Sequence, residues 1–200
     1  MQQSDDREKS TAEENPGNFW AVSLDWLQAL VVSVIFVALC FTFGVRIVGV
    51  DGESMEPTLC HNDRILVLSS IWSRPRNGDV VVLRKDSFVN TPVVKRIIAT
   101  EGQTIDIDYS TGAVYLDGVL LDEPYIKEKT LLQGDMEFPV TVSPGCVFVM
   151  GDNRNASTDS RWSSLGEVDC RYILGKAVFV LFPGRDEDGK MSLALIGGVK

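Results

Sequence analysis

Nineteen consecutive residues, Leu27–Val45, carry no formal charge. As a helix rising 1.5 Å per residue, such a run reaches about 28 Å, close to the roughly 30 Å hydrocarbon core of a bilayer. Trp20 and Trp26 precede it and Arg46 follows it, residue types that anchor a span at its two interfaces. A soluble protein seldom keeps a buried helix of that length free of charge. A cleaved export signal has a short basic leader, a shorter apolar core and a small-x-small cleavage site. Here the leader is long and acidic, with two basic and six acidic side chains in residues 1–26. A retained transmembrane helix is therefore expected. Charge leaves its orientation open, because Arg7 and Lys9 on one side balance Arg46 and Arg64 on the other.

The flanking sequence sets the organisation. Residues 1–18 are polar and lack core-forming side chains, which predicts a disordered tail. The anchor is expected over 19–46. From 47 to 183 short apolar runs alternate with turn residues, and no helical period of useful length returns. Candidate strands are Arg64–Ser69, Asp79–Arg84, Val93–Thr100, Thr104–Asp108, Ala113–Leu116, Val119–Leu121, Glu137–Val142, Cys146–Met150 and Ile173–Phe182. Asp117-Gly118 between two of them reads as a two-residue hairpin turn. The fold class is mostly β, coiled antiparallel sheets or a partly open barrel, with one N-terminal transmembrane helix. The tail 184–200 is charged, and its apolar end, Met191–Val199, is too short to span a membrane.

Charge and cysteine content exclude several functions. The chain carries 19 basic and 28 acidic residues, a net charge of −9, which argues against nucleic acid as a partner. Four cysteines without a C-x-x-C pair, and one histidine, make no structural zinc site. A Cys146–Cys170 bridge stays open beside the preferred reading of free thiols, since spacing does not give geometry. His61 follows Cys60 in a polar stretch, where a histidine is usually surface or structural, and is set aside as a catalytic base.

Three clusters carry chemistry. Gly52-Glu53-Ser54-Met55-Glu56-Pro57-Thr58-Leu59 suits a rigid loop that presents a hydroxyl and a backbone N–H. The ten positions from Gly44 to Ser54 reach at most about 35 Å, which tethers the serine near the membrane. In Val93-Val94-Lys95-Arg96-Ile97-Ile98-Ala99, alternation puts Lys95 and Arg96 on opposite faces, so one charge points at the apolar layer unless the strand lies at an edge in water. A desolvated lysine loses its proton more easily and can act as a base toward a serine hydroxyl. Gly151 to Arg161, dense in Asp, Asn, Ser and Arg, fits either an exposed loop or a network bracing a site.

Together these clusters resemble the type I signal peptidase family. The matching pieces are Ser-Met-x-Pro-Thr-Leu at 54–59, Gly-Asp-Val-Val at 78–81, Lys-Arg at 95–96, Gly-Asp-Asn-Arg-x-x-Ser-x-Asp-Ser-Arg at 151–161 and Gly-Lys-Ala at 175–177. The resemblance runs in order from about residue 26 to 183. It implies a serine endopeptidase with Ser54 as nucleophile and Lys95 as general base, and no cofactor. It implies that Ser157 hydrogen-bonds the lysine amine, that Asp159 and Arg161 form an ion pair shaping the site, and that Asp152 and Arg96 support it. The Ser54 N–H is one implied oxyanion donor. Some members add a serine hydroxyl two positions before the nucleophile; here that position is Gly52, so a backbone group or water must serve. The implied substrates are exported preproteins with small residues one and three positions before the cut. The implied location is the cytoplasmic membrane and its lipid bilayer, single-pass, with a cytoplasmic tail and an extracytoplasmic peptidase domain.

Two rivals remain. A serine–lysine self-cleaving repressor needs a DNA-binding segment where this chain has a span and an acidic leader. A membrane-anchored β-domain that binds peptides without cutting them would leave Ser54 and Lys95 incidental.

Overall fold

The computed structural model describes residues 16–70 and 74–184, in two compact units that divide between Phe41 and Thr42. The first holds all but the last two residues of α1, Pro16–Phe43. The helix starts earlier than the expected anchor: Pro16 occupies the first turn, where its missing N–H costs nothing. Its stretch Val22–Leu39 is long and apolar enough to cross a membrane. Leu27, Leu30, Val34, Ile35 and Phe36 along it are all exposed. The expected disordered tail lies outside the described residues over 1–15, and the C-terminal tail does so over 185–200.

The helix ends at Phe43 because Gly44 turns the chain, and β1 follows at once as Val45–Gly49. Val45 and Arg46, expected in the anchor, are therefore strand residues. The apolar run concealed this boundary, since β-branched residues suit both a span and a strand. The remaining strands are β2 (Arg64–Ser69), β3 (Val80–Leu83), β4 (Val93–Thr100), β5 (Thr104–Asp108), β6 (Ala113–Leu116), β7 (Val119–Leu120), β8 (Val140–Thr141), β9 (Cys146–Met150), β10 (Val168–Asp169) and β11 (Ile173–Phe182). Glu137 and Phe138 fall outside β8, which starts after Pro139, a residue with no N–H for a ladder. Asp117 and Gly118 both have positive φ, 52° and 78°, as the expected hairpin turn requires.

Seven strands form an open antiparallel sheet in the order β1-β2-β11-β3-β4-β9-β10, and four form a second, β7-β6-β5-β8. Register shifts in β11 and between β4 and β9 let the large sheet coil. Strands β3 and β4 are buried on both faces. Val80, Val82 and Val94 pack with Met55, Leu59 and Val67, whereas Val81, Leu83 and Ile97 pack with Val149 and Leu165. A third cluster, with Ile98, Ile105, Val114 and Phe148, joins the two sheets. Alternation along β9 puts Cys146 with the Phe148 cluster, while Cys170 packs with Val147 and Val149. Both are free thiols.

Candidate active site

Ser54 sits in the turn that leaves Val50 and returns at Asp63. Met55 and Leu59 plug this turn into the core with 1% and 0% exposure. Each contributes about 1.5–3 kcal/mol of burial, which fixes where the serine points. The Leu59 N–H donates to the Met55 carbonyl and the Glu56 N–H to the Glu53 carbonyl, at 2.9 and 3.1 Å. The last cluster grips the turn from the other side. The Asn153 N–H donates to the Ser54 carbonyl, and Asn153 Nδ2 donates to the Glu53 carbonyl, both at 3.1 Å.

Lys95 reaches the serine from β4, its Nζ 2.7 Å from Ser54 Oγ. Pairing of β3 with β4 sets Val81 opposite Lys95 and Val80 opposite Arg96, so the two charges take opposite faces. Both are buried, at 4% and 1% exposure, and neither lies in water at an edge. Burial pushes the Lys95 ammonium down from its usual 10.5 to about 8; Asp159 pushes back upward, Arg161 downward and Asp152 upward.

The carboxylates around the dyad are already taken. Asp152 receives Arg96 Nε and Nη2 at 2.8 and 2.7 Å, and Thr58 Oγ1 at 2.5 Å. Arg96 also donates to the Gly78 carbonyl and lies 4.0 Å from the Tyr125 ring centre. Asp159 receives Arg161 Nε and Nη2 at 2.8 and 2.9 Å, and the Gly151 N–H at 3.0 Å. Glu123 pairs with Arg154, which also donates to Thr130 and to the Gly151 carbonyl. Three acids and three arginines balance, and Lys95 is left with a hydroxyl as its polar neighbour. That arrangement lets burial dominate its proton affinity.

Each expected supporting residue is in this neighbourhood, with two differences from expectation. The hydrogen bond expected between Ser157 and the Lys95 amine is not made. Ser157 Oγ is buried and has no hydrogen-bond partner among the described residues. It lies against Gly151, where an added Cβ would stand 2.3 Å from Ser157 Oγ and 2.4 Å from the Ser54 carbonyl oxygen. Gly52 does not offer its N–H to the reaction either, because that group donates to His61 Nδ1 at 3.1 Å. The sequence reading missed Asn153, Thr58, Tyr125 and the Glu123–Arg154 pair. Asn153 lies inside the recognised box, but its role as a clamp depends on a contact with residues 53 and 54 that spacing does not reveal.

The chain matches the family described as signal peptidase, peptidase S26, over residues 23–182. It is 34% identical over 186 residues to a signal peptidase I of Bacillus licheniformis, covering 88% of this chain and 94% of that protein. It is 38% identical over 169 residues to a signal peptidase I of Bacillus amyloliquefaciens, covering 80% of this chain and 88% of the relative. A crystal structure of a signal peptidase I from Enterococcus faecalis V583 superposes with a TM-score of 0.43 at 26% identity, covering 52% of this chain and 97% of that one. On the family match and these relatives, the chain belongs to the signal peptidase family, peptidase S26, and is a serine peptidase.

Proposed function

We propose that this chain removes N-terminal signal peptides from exported preproteins, with Ser54 as nucleophile and Lys95 as general base. The observation that carries the reading is the 2.7 Å approach of Nζ to Oγ, made by a buried lysine shifted to about 8. The neutral amine takes the Ser54 proton as Oγ attacks the scissile carbonyl. The Ser54 N–H makes no hydrogen bond among the described residues, and it serves the developing oxyanion. Lys95 Nζ then passes the proton to the leaving amine, and an ester remains on Ser54. Lys95 next activates water against that ester, and the acid product leaves. Once Oγ is acylated the amine has lost its partner, and the unpartnered Ser157 hydroxyl beside the Ser54 carbonyl is the group to receive it. Asp152–Arg96 and Asp159–Arg161 hold the two sides of the site in place.

A free sheet edge supports peptide binding. β9 pairs with β4 from Arg96 onward, and among the described residues no strand covers that edge at Val93–Lys95. An extended substrate can add there as a strand, with its cut beside Lys95. Small side chains one and three positions before the cut suit that close docking. The α1 helix anchors the chain in the cytoplasmic membrane as a single span through Val22–Leu39, with the segment before it cytoplasmic and the peptidase domain outside. The test is cleavage of a purified preprotein by the full chain in detergent, with N-terminal sequencing of the product. Cutting at the signal-peptide junction is expected. An intact preprotein, or cutting that persists in Ser54→Ala, overturns the reading.

A further inference from the structure

Val50 and Asn62 close the neck of the nucleophile turn. The Val50 N–H donates to the Asp63 carbonyl and the Asn62 N–H to the Val50 carbonyl, at 2.8 and 2.9 Å. Beyond this neck the segment Asp51-Gly52-Glu53 is exposed and leads directly to Ser54. It is held from two sides: Asn153 takes the Glu53 carbonyl, and His61 Nδ1 accepts the Gly52 N–H at 3.1 Å. The second hold exists in one protonation state. Neutral imidazole offers one nitrogen as acceptor, and imidazolium offers none.

Protonation also changes what the ring prefers. The carboxylate facing Nδ1 is Asp51, with its Oδ1 at 3.3 Å. Asp63, on the same turn, is fully buried and spends its oxygens on the Cys60 and Gly184 N–H groups, at 2.8 and 2.6 Å. The segment after β11 brings the Gly184 backbone against the His61 carbonyl and, among the described residues, adds no charge there. An imidazolium therefore has Asp51 to turn to and repels the Gly52 N–H it formerly held.

Resting on the serine–lysine reading above, we infer that His61 is a positioning residue for Ser54. Its neutral ring steadies Gly52 and the turn that carries the nucleophile, and proton uptake releases them.

The test uses the full chain in detergent and a preprotein substrate, with kcat/KM measured from about pH 5 to 10 for wild type, His61→Asn and His61→Ala. Asn Oδ1 occupies the place of Nδ1 and accepts without titrating. Wild type is expected to lose tenfold per pH unit below about 8 through Lys95. It should lose a further 3- to 10-fold, about one ordinary hydrogen bond, where the His61 ring takes up a proton. His61→Asn should match wild type at about pH 8 and lack the further loss, and His61→Ala should run about 3- to 10-fold lower throughout. Equality of His61→Ala with wild type at high pH, or a further loss that survives in His61→Asn, overturns the inference. A second readout is independent of activity: the Gly52 amide resonance should shift with the His61 titration in wild type and stay flat in His61→Asn. An insensitive Gly52 amide in wild type overturns the inference as well. A wild type that cleaves no preprotein defeats the serine–lysine reading, and the amide titration then decides on His61 alone.

Discussion

The backbone N–H of Asn153 meets the carbonyl of Ser54 at 3.1 Å, and the Asn153 side chain holds the carbonyl of the preceding residue at the same distance. The loop at 151–161 thus grips Ser54 by its main chain and leaves Oγ to Lys95. Replacing Asn153 with Ala keeps the backbone bond and removes the side-chain one. We expect kcat to fall about 3- to 10-fold with KM nearly unchanged, the scale of one hydrogen bond. Asn153→Asp should be worse, because an acceptor then faces the Glu53 carbonyl. Steady-state kinetics on both variants check the order; a larger loss in Ala than in Asp sinks the assignment.

The Lys95 ammonium is harder to keep charged in the folded state than in the unfolded one. Its folded value of about 8 lies below the ordinary 10.5, so between those two values the unfolded chain binds more protons. Stability therefore rises with pH across that window, and at pH 7 the full penalty applies, about 3 kcal/mol. Lys95→Met should abolish cleavage while making the domain more resistant to heat at pH 7. The gain should shrink toward pH 10.5, where wild type no longer carries the charge. Thermal unfolding at the two pH values is the measurement, and a destabilised Met variant at pH 7 contradicts it.

Activity should mirror the same equilibrium with the opposite demand. With Lys95 as the proposed base, cleavage needs the neutral amine, so kcat/KM should climb with pH and level off above about 8. Val81 lies directly across β3–β4 from Lys95. Val81→Thr puts a hydroxyl beside the amine, which favours the ammonium and should move the limb to higher pH. Activity should recover well above the limb, since only the neutral fraction has changed. A limb left in place by Val81→Thr would show that Val81 does not set the environment of the amine.

At Gly151 the constraint is space. A methyl group there would meet the Ser157 hydroxyl at 2.3 Å and the Ser54 carbonyl at 2.4 Å, both far inside contact distance. Gly151→Ala should displace the nucleophile and cost on the order of 100-fold in kcat, the scale of a misplacement near 1 Å. Gly145→Ala, in a turn with no atom near the added group but φ of 75°, should cost stability without that loss of turnover.

Asp159 and Arg161 are both fully buried, and the acid also holds the Gly151 N–H. Asp159→Asn leaves a guanidinium without its counter-charge, a loss of about 3–5 kcal/mol. Calorimetry should show a lower melting point. Removing both charges in an Asp159→Asn, Arg161→Met variant should restore part of it, and no restoration would mean the pair is not what the fold relies on there.

Much of this architecture could be read from the chain, and the failures have physical causes. Strands with β-branched residues between turn residues, such as Arg64–Ser69 and Val93–Thr100, appear with the expected limits because local pattern and burial agree. β10 escaped notice because two residues, Val168–Asp169, carry no pattern. Ser54 and Lys95 were legible as motifs, and alternation in β4 foretold the opposed faces of Lys95 and Arg96. Alternation could not say that both would be buried, since that depends on Thr58, Asp152 and Tyr125 closing over Arg96 from distant segments. Glu123 sits in an unremarkable acidic loop, and its partner Arg154 lies 31 positions away. Ser157 shows the limit of a motif: the residue is in place, and its hydrogen bond is not.

Adjacent positions of β4 carry the proposed base, Lys95, and Arg96, which holds Asp152, on opposite faces of one strand. This makes the chain intolerant of length change in one place and permissive beside it. An extra residue in the connection 84–92 can be looped out without disturbing any β3–β4 pair. An extra residue between Val94 and Lys95 that shifts the rest of the strand by one position would put the lysine in the place of Arg96, facing Asp152, and Arg96 in the apolar place of Ile97, since side chains change face at every step. A single inserted codon would then leave a charge buried among apolar side chains, an ion pair of the wrong kind and no amine beside Ser54.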